Sequence, residues 1–347
     1  MISAGPVLAI GIVVFAASFL GVAAVRAIAT RRQWLDYPNS RSSHTIATPR
    51  AGGLAIVVVS EAASVILLSR HRLLTHDWTI VLVTAIIVAA VSWIDDLRPL
   101  SNKFRFSVHV GVAVVVLATF GTIGGAELPS IGTISLRAAG TVLALLWIVG
   151  LTNAYNFMDG IDLMAAGQAI AAGAGWAVLG KIVKAPDLVL VGSVVSIAAA
   201  AFAIHNRPPA RIFMGDVGSA FLGYLLATLA VLGVHRDPLL AISGAVLVWP
   251  FVFDTTFTFL RRLRNREVVF KAHRSHLYQR LVIAGMTHMQ VSLLYFTLDL
   301  IGIGCAVALM MGVPYAPVFS TIAITASASG LWVFVTQTEQ RARAARA

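Results

Sequence analysis

The sequence predicts an all-α polytopic integral membrane protein of about eleven transmembrane helices, with the N-terminus outside and the C-terminus cytoplasmic. Three observations carry this. Of the 347 residues, 58% are hydrophobic and only 12% are charged, about half the charged share of a soluble domain. The apolar residues gather into runs that approach the roughly 20 residues needed to span a bilayer core. The basic residues, which give a net charge of +11, fall between those runs. That placement reads as membrane topology, not as nucleic-acid binding. Disorder is excluded, because its mark is low hydrophobicity.

The runs lie at about 4–25, 52–69, 79–94, 106–121, 138–152, 163–180, 188–204, 217–234, 238–258, 290–312 and 315–335. The first has no basic segment before it and is too long for a signal sequence, so it reads as a retained helix. The fifth is the weakest, and the 124–136 loop before it is expected to supply extra turns. The ninth is read as one helix. No internal repeat or low-complexity linker divides the chain, so residues 1–347 are expected to form a single membrane-embedded domain. Cys305, the one cysteine, excludes an intrachain disulfide.

Orientation follows from Lys and Arg. Twenty of the 26 fall in the odd-numbered loops and the C-terminal tail, which are therefore expected in the cytoplasm. The loops at about 26–51, 95–105, 153–162, 205–216 and 259–289 are the candidate active-site loops.

Acidic residues number only 15, so their placement is informative. Asp95 and Asp96 close the third run, Asp159 and Asp162 follow the fifth, and Asp216 precedes the eighth. All five lie at membrane boundaries on the expected cytoplasmic side. Carboxylates gathered at one depth repel one another unless a positive charge sits among them. A hard divalent cation such as Mg²⁺ fits, with the Asn156 carbonyl as a further oxygen ligand. The plainer alternative is a set of solvated acids at helix ends.

The 261–280 stretch is the longest polar segment and contains His273-Arg274-Ser275-His276. On charge alone it suits an anchor on anionic lipid better than a diphosphate contact. The His-x-x-His spacing would put both rings on one helical face. Two histidines do not complete a zinc site, so phosphate contacts are preferred to a transition metal. Gly52 and Gly53 suit close backbone approach, to a ligand or more often to another helix. Glu61 and Asp299 lie inside apolar runs. A proton path is one reading of them; a carboxyl that holds two helices together is the favoured one.

Five segments together resemble the polyprenyl-phosphate N-acetylhexosamine-1-phosphate transferases, a family that includes phospho-N-acetylmuramoyl-pentapeptide transferase. They are 36–53, Asp95-Asp96, 153–162, 213–219 and 273–279, in family order across about two-thirds of the chain. The resemblance implies transfer of a sugar-1-phosphate from a UDP-N-acetylhexosamine to undecaprenyl or another polyprenyl phosphate, with release of UMP. It implies Mg²⁺, with Mn²⁺ as the substitute, held by Asn156 and Asp216. It implies Asp95, Asp96 and Asp159 as the catalytic acids. His44, Lys103, Asp162, Phe213, His273, Arg274 and His276 are the implied substrate contacts, with Phe213 stacking on uracil. The implied location is a bacterial inner membrane with the site facing the cytoplasm. Membrane lipids are the surrounding partners, nucleic acid is not one, and a homodimer is left open.

Two departures stand out. Leu163 and Met164 replace the usual Gly and Leu after Asp162, and Ala51 stands where close relatives often have a third Gly. The ninth loop lacks the adjacent histidines of the pentapeptide enzyme, which points to the branch that uses GlcNAc or 6-deoxy-N-acetylhexosamines and starts glycans such as O-antigen. The pentapeptide enzyme is the alternative within the class. A secondary transporter and a non-catalytic membrane scaffold are the alternatives outside it. A transporter should place its essential carboxylates near the midplane.

Overall fold

Each apolar run folds as helix in the computed structural model, which describes residues 4–38, 46–120, 125–128, 132–135, 137–268 and 273–345. In chain order the helices are α1 (Ala4–Arg32), α2 (Gly53–Arg70), α3 (His76–Leu97), α4 (Asn102–Phe120), α5 (Arg137–Met158), α6 (Met164–Ile182), α7 (Pro186–Asn206) and α8 (Asp216–Val234). They continue with α9 (Leu239–Leu247), α10 (Trp249–Arg264), α11 (Leu277–Ile283), α12 (His288–Met310) and α13 (Ala316–Ala344). Among the described residues, nine helices are long and apolar enough to cross a membrane, and the bent α9–α10 pair makes a tenth. The protein is therefore an all-α, multi-pass membrane protein. The expected count of eleven would include α6, whose 19 residues are rich in Ala and Gly and fall short of the others in hydropathy.

Helix α8 forms the centre. Every residue from Val217 to Gly233 is buried, against α2, α3, α5 and α9. Lipid tails are as apolar as leucine, so the gain here comes from close packing and not from exclusion of water. Small residues allow it. A Cβ on Gly173 of α6 would lie 2.7 Å from the Gly192 carbonyl of α7, and one on Gly53 of α2 would lie 2.4 Å from the Gly218 Cα of α8. Gly53 thus serves helix contact.

Two expectations are corrected. The described residues of the 124–136 loop, 125–128 and 132–135, are not helical. They form an antiparallel pair, β3 (Gly125–Leu128) with β4 (Gly132–Ser135). Pro129 opposes helix propagation, and Thr133 and Ile134 favour extended backbone. The ninth run is two helices bent by 77°, because Pro250 in the first turn of α10 cannot donate the backbone bond that would continue α9. A broken helix in lipid must satisfy its freed groups internally. The Leu247 carbonyl, at the end of α9, accepts from Gln168 Nε2 at 3.0 Å, and Trp249 Nε1 donates to the Leu298 carbonyl at 3.0 Å. Asp299 is buried on α12, and its Oδ1 has no hydrogen-bond partner among the described residues. Glu61 is buried on α2, and neither carboxylate oxygen has a hydrogen-bond partner among the described residues.

Between α1 and α2, two short strands, β1 (Leu35–Asp36) and β2 (Thr48–Pro49), pair antiparallel. Beyond β2, Phe213 N donates to the Pro49 carbonyl at 2.8 Å, Gly52 N to the Phe213 carbonyl at 2.9 Å and Gly53 N to the Met214 carbonyl at 2.8 Å. These bonds fasten the 46–53 segment to the loop that leads into α8.

Candidate active site

Five elements meet at one end of the bundle: the C-terminal ends of α3 and α5, the N-terminal ends of α4 and α8, and α11. Asp95, in the last turn of α3, closes the turn into α4 by accepting the Leu100 amide at 2.6 Å. Its other oxygen meets the Arg105 guanidinium, and the same Arg105 nitrogen meets Asp216. Arg105 therefore bridges two carboxylates from segments 121 residues apart. Lys103, the basic residue of this segment that the sequence offers as a substrate contact, is exposed two positions away. Two residues along a helix turn a side chain to another face, so only the phase of α4 decides between them.

Asp96 is buried, and its carboxylate accepts the backbone amides of Asp216 at 3.1 Å and Val217 at 3.0 Å. A carboxylate at these unpaired first-turn amides satisfies them and complements the helix dipole. Gly215 precedes them with φ +76°, and a Cβ there would lie 2.8 Å from Asp96 Oδ2. Asp96 thus holds the start of α8, and with it Asp216.

Asn156, on the last turn of α5, donates to Ser219 Oγ at 3.1 Å, one turn into α8 from Asp216. Asp159 follows in the turn after α5. Its carboxyl is pushed well above the usual range, first by burial and then by the charges of Asp216, Asp96 and Asp162. Asp162 is buried, accepts the Ala210 amide at 3.1 Å, and faces His288 Nδ1 at 3.3 Å. It ties the α5–α6 turn to the loop before α8 and to α12.

The two departures from the family pattern both fall at left-handed backbone. Ala51 and Leu163 each have φ +70°, a conformation that glycine adopts without strain. The fold keeps the geometry and carries a side chain in it.

The His273–His276 segment does not lie on one helical face. His273 precedes α11 and His276 caps it. The rings still come together, with centroids 5.0 Å apart. The His276 ring lies 6.4 Å from that of Phe157, stacked, beside Asn156. Tyr278, which sequence reasoning passed over, donates from its hydroxyl to the Phe157 carbonyl at 3.0 Å and sits against Gly160, where a Cβ would fall 2.0 Å from that oxygen. Burial drives the Tyr278 phenol pKa up. Arg274 is partly buried in the same segment, and Phe213 is half-buried before α8. His44 lies outside the described residues. The far end of α11 is held by Arg280, which pairs with Glu339 of α13 through two bonds of 2.8 and 2.6 Å.

Among the described residues no three His, Cys, Asp or Glu side chains form a ready-made metal cage. Asp216, Asn156 and Asp95 instead offer oxygen donors within one cluster. That donor set suits Mg²⁺, which binds through one or two carboxylates and keeps room for substrate phosphates. The crowding that drives the Asp159 carboxyl up is what a bound cation would relieve.

Residues 78–234, from α3 through α8, match glycosyl transferase family 4. The chain is 34% identical, over 78% of its length and 76% of the relative's, to a probable undecaprenyl-phosphate N-acetylglucosaminyl 1-phosphate transferase of Bacillus subtilis. It is 30% identical, over 81% of its length and 77% of the relative's, to a decaprenyl-phosphate N-acetylglucosaminephosphotransferase of Mycolicibacterium smegmatis. A phospho-N-acetylmuramoyl-pentapeptide-transferase of a Synechococcus species is 40% identical over 49% of this chain and 52% of its own. With the acid cluster, the Asn156 loop and the α8 entry all inside the matched region, this chain belongs to glycosyl transferase family 4.

Proposed function

We propose that the protein transfers N-acetylhexosamine-1-phosphate from a UDP-sugar to a polyprenyl phosphate such as undecaprenyl phosphate, releasing UMP, at the cytoplasmic face of a bacterial inner membrane. The observation that carries this is the convergence of Asp95, Asp216, Asn156 and Arg105 at one end of the bundle. A soluble dianionic donor and a membrane-held acceptor phosphate meet only at such an interface. The relatives named for GlcNAc transfer match 78–86% of this chain, and those named phospho-N-acetylmuramoyl-pentapeptide-transferase match 49–66%. UDP-GlcNAc is therefore the first donor to test, and the initiation of a surface glycan such as O-antigen is the proposed role.

Asp216 and Asn156, with Asp95 beside them, would hold Mg²⁺, or Mn²⁺ in its place. The cation offsets donor charge and stabilises the leaving UMP. The chain's own residues do the rest by position and electrostatics, the main resources of phosphoryl transfer. Arg105 supplies fixed positive charge where the phosphates arrive. His273, Arg274 and His276 complement the remaining phosphate charge. A phosphate monoester has a second pKa of about 6, so the acceptor is largely ionised at neutral pH, and Asp95, bonded to Leu100 N and Arg105, acts as an organiser. An apolar cavity of about 670 Å³ between α5, α8, α9, α10 and α13, lined by Leu143, Trp147, Val231, Trp249 and Phe253, suits a prenyl tail.

The test is incubation of membranes carrying the protein with undecaprenyl phosphate, Mg²⁺ and a panel of UDP-N-acetylhexosamines, with product lipid and UMP measured together. Equimolar formation of both from one donor is expected. UMP release that does not require the lipid, or no product with any donor, overturns the proposal.

A further inference from the structure

Asp254 is a third carboxylate inside an apolar run, and it is fully buried on α10. Unlike Glu61, it is saturated with donors. One oxygen accepts the Leu277 amide at 2.8 Å, Thr258 Oγ1 at 3.1 Å and His276 Nδ1 at 3.2 Å. The other accepts the Tyr278 amide at 3.1 Å and the Tyr295 hydroxyl at 2.6 Å. Two of these donors are backbone amides, which cannot reverse direction. Five polar groups converge on its two oxygens, two of them fixed donors, and that arrangement suits an ionised acceptor. Its contact with His276 then requires the proton to sit on Nδ1. One carboxylate therefore fixes both the start of α11 and the tautomer and aim of the imidazole.

The other ring nitrogen is what remains for a ligand. The ring lies against Phe157, the residue after Asn156 in sequence, and beside His273. His276 N donates to Gln279 Oε1 at 3.2 Å, so the backbone at this point is held as well.

We propose that Asp254 is the positioning residue for His276: it holds the imidazole as the Nδ1–H form so that Nε2 faces the donor phosphates. The inference rests on the reading of His276 as a donor contact. Asp254 itself touches no substrate; it acts through the ring, as the orienting partners of ligand-bearing histidines do.

The test is a double-mutant cycle on the full chain, purified in detergent, with UDP-GlcNAc varied at saturating undecaprenyl phosphate. Asp254→Asn and His276→Gln should each lower kcat/KM for UDP-GlcNAc by about 10- to 150-fold, the worth of one charge-assisted bond. The double variant should lose far less than the product of the two single losses, because without His276 only the hold of Asp254 on α11 remains. Losses that multiply, or a silent Asp254→Asn, overturn the positioning role. A silent His276→Gln overturns the donor-site reading instead. Asp254→Asn also weakens the hold on α11, so a measurement on the unmutated protein decides independently of its folding. In ¹⁵N-histidine spectra at pH 8.5, with the His276 signals identified by their loss in His276→Gln, Nδ1 should carry the proton. A neutral Nε2–H form overturns the proposal.

Discussion

The Asp96 carboxylate accepts the backbone amide of Asp216 at 3.1 Å, joining two acidic residues 120 positions apart through a bond that only one of their side chains makes. The two aspartates have different tasks. Asp96 is spent on the α8 backbone, and Asp216 is left facing Arg105 and Asn156.

Asp216→Ala is expected to abolish transfer while membrane insertion stays normal, since α8 keeps its apolar core. Asp216→Asn should retain some affinity for the cation but lose most activity, because a hard cation loses a charged ligand. UMP release by detergent-purified variants, titrated with Mg²⁺, checks both. Near-normal release by Asp216→Ala would remove Asp216 from the cation site.

Arg105→Ala should cost more than Lys103→Ala. The first removes a guanidinium that holds two carboxylates, at about 1.5–3 kcal/mol per charge-assisted bond. The second removes an exposed side chain. Comparing kcat/KM for the donor decides the matter, and equal losses would return Lys103 to the site.

Asp95→Asn should be far more damaging to transfer than Glu61→Gln, because Asp95 lies in the interfacial cluster and Glu61 lies within α2 away from it. If Glu61→Gln abolished activity and Asp95→Asn were mild, the transporter reading would regain priority, and substrate uptake into vesicles would be the assay.

Gly160→Ala should displace Tyr278 and lower activity, because the added Cβ falls 2.0 Å from the phenol oxygen. Tyr278→Phe removes that oxygen and should restore part of the loss. A Gly160→Ala enzyme with unchanged activity would mean that α11 does not need its present seat.

Asp159 bears on stability. Its folded-state carboxyl titrates well above the ordinary value of 3.8, so the folded protein binds a proton that the unfolded chain has already lost. The associated stability is complete at acid pH and declines as pH rises through the folded-state value. Asp159→Asn removes that decline. In EDTA, the variant should melt above the parent protein by a margin that widens from pH 6 to pH 8, while it loses activity. A margin that narrows with pH would show that the carboxyl is not crowded.

Much of the site is legible in the sequence. Asp95, Asp96, Asn156, Asp159 and Asp216 all come together, because acids are scarce in a membrane chain and must have partners where they occur. Arg105 was hidden among the basic residues that any cytoplasmic loop carries, and Asp254 by the apolar run around it. Tyr278 gave no signal, since an aromatic residue near a membrane surface is ordinary.

By itself the sequence determined the membrane class, the order of the helical runs and the placement of the acids at their ends. These are local properties: in lipid every backbone group must be paired within its own segment, so hydropathy alone marks helices. The break at Pro250 was not read there, because a proline in a first turn marks a helix start as readily as a bend. Only the tertiary structure decided that Arg105 and not Lys103 bridges Asp95 and Asp216, that Asp96 holds the α8 backbone, that Gln168 satisfies the broken helix, and that Asp254 meets His276. Each depends on the rotation of a helix about its axis and on which helix lies beside it. Those are set by the packing of small residues such as Gly53 against Gly218, a contact between segments 165 residues apart that neither segment specifies alone.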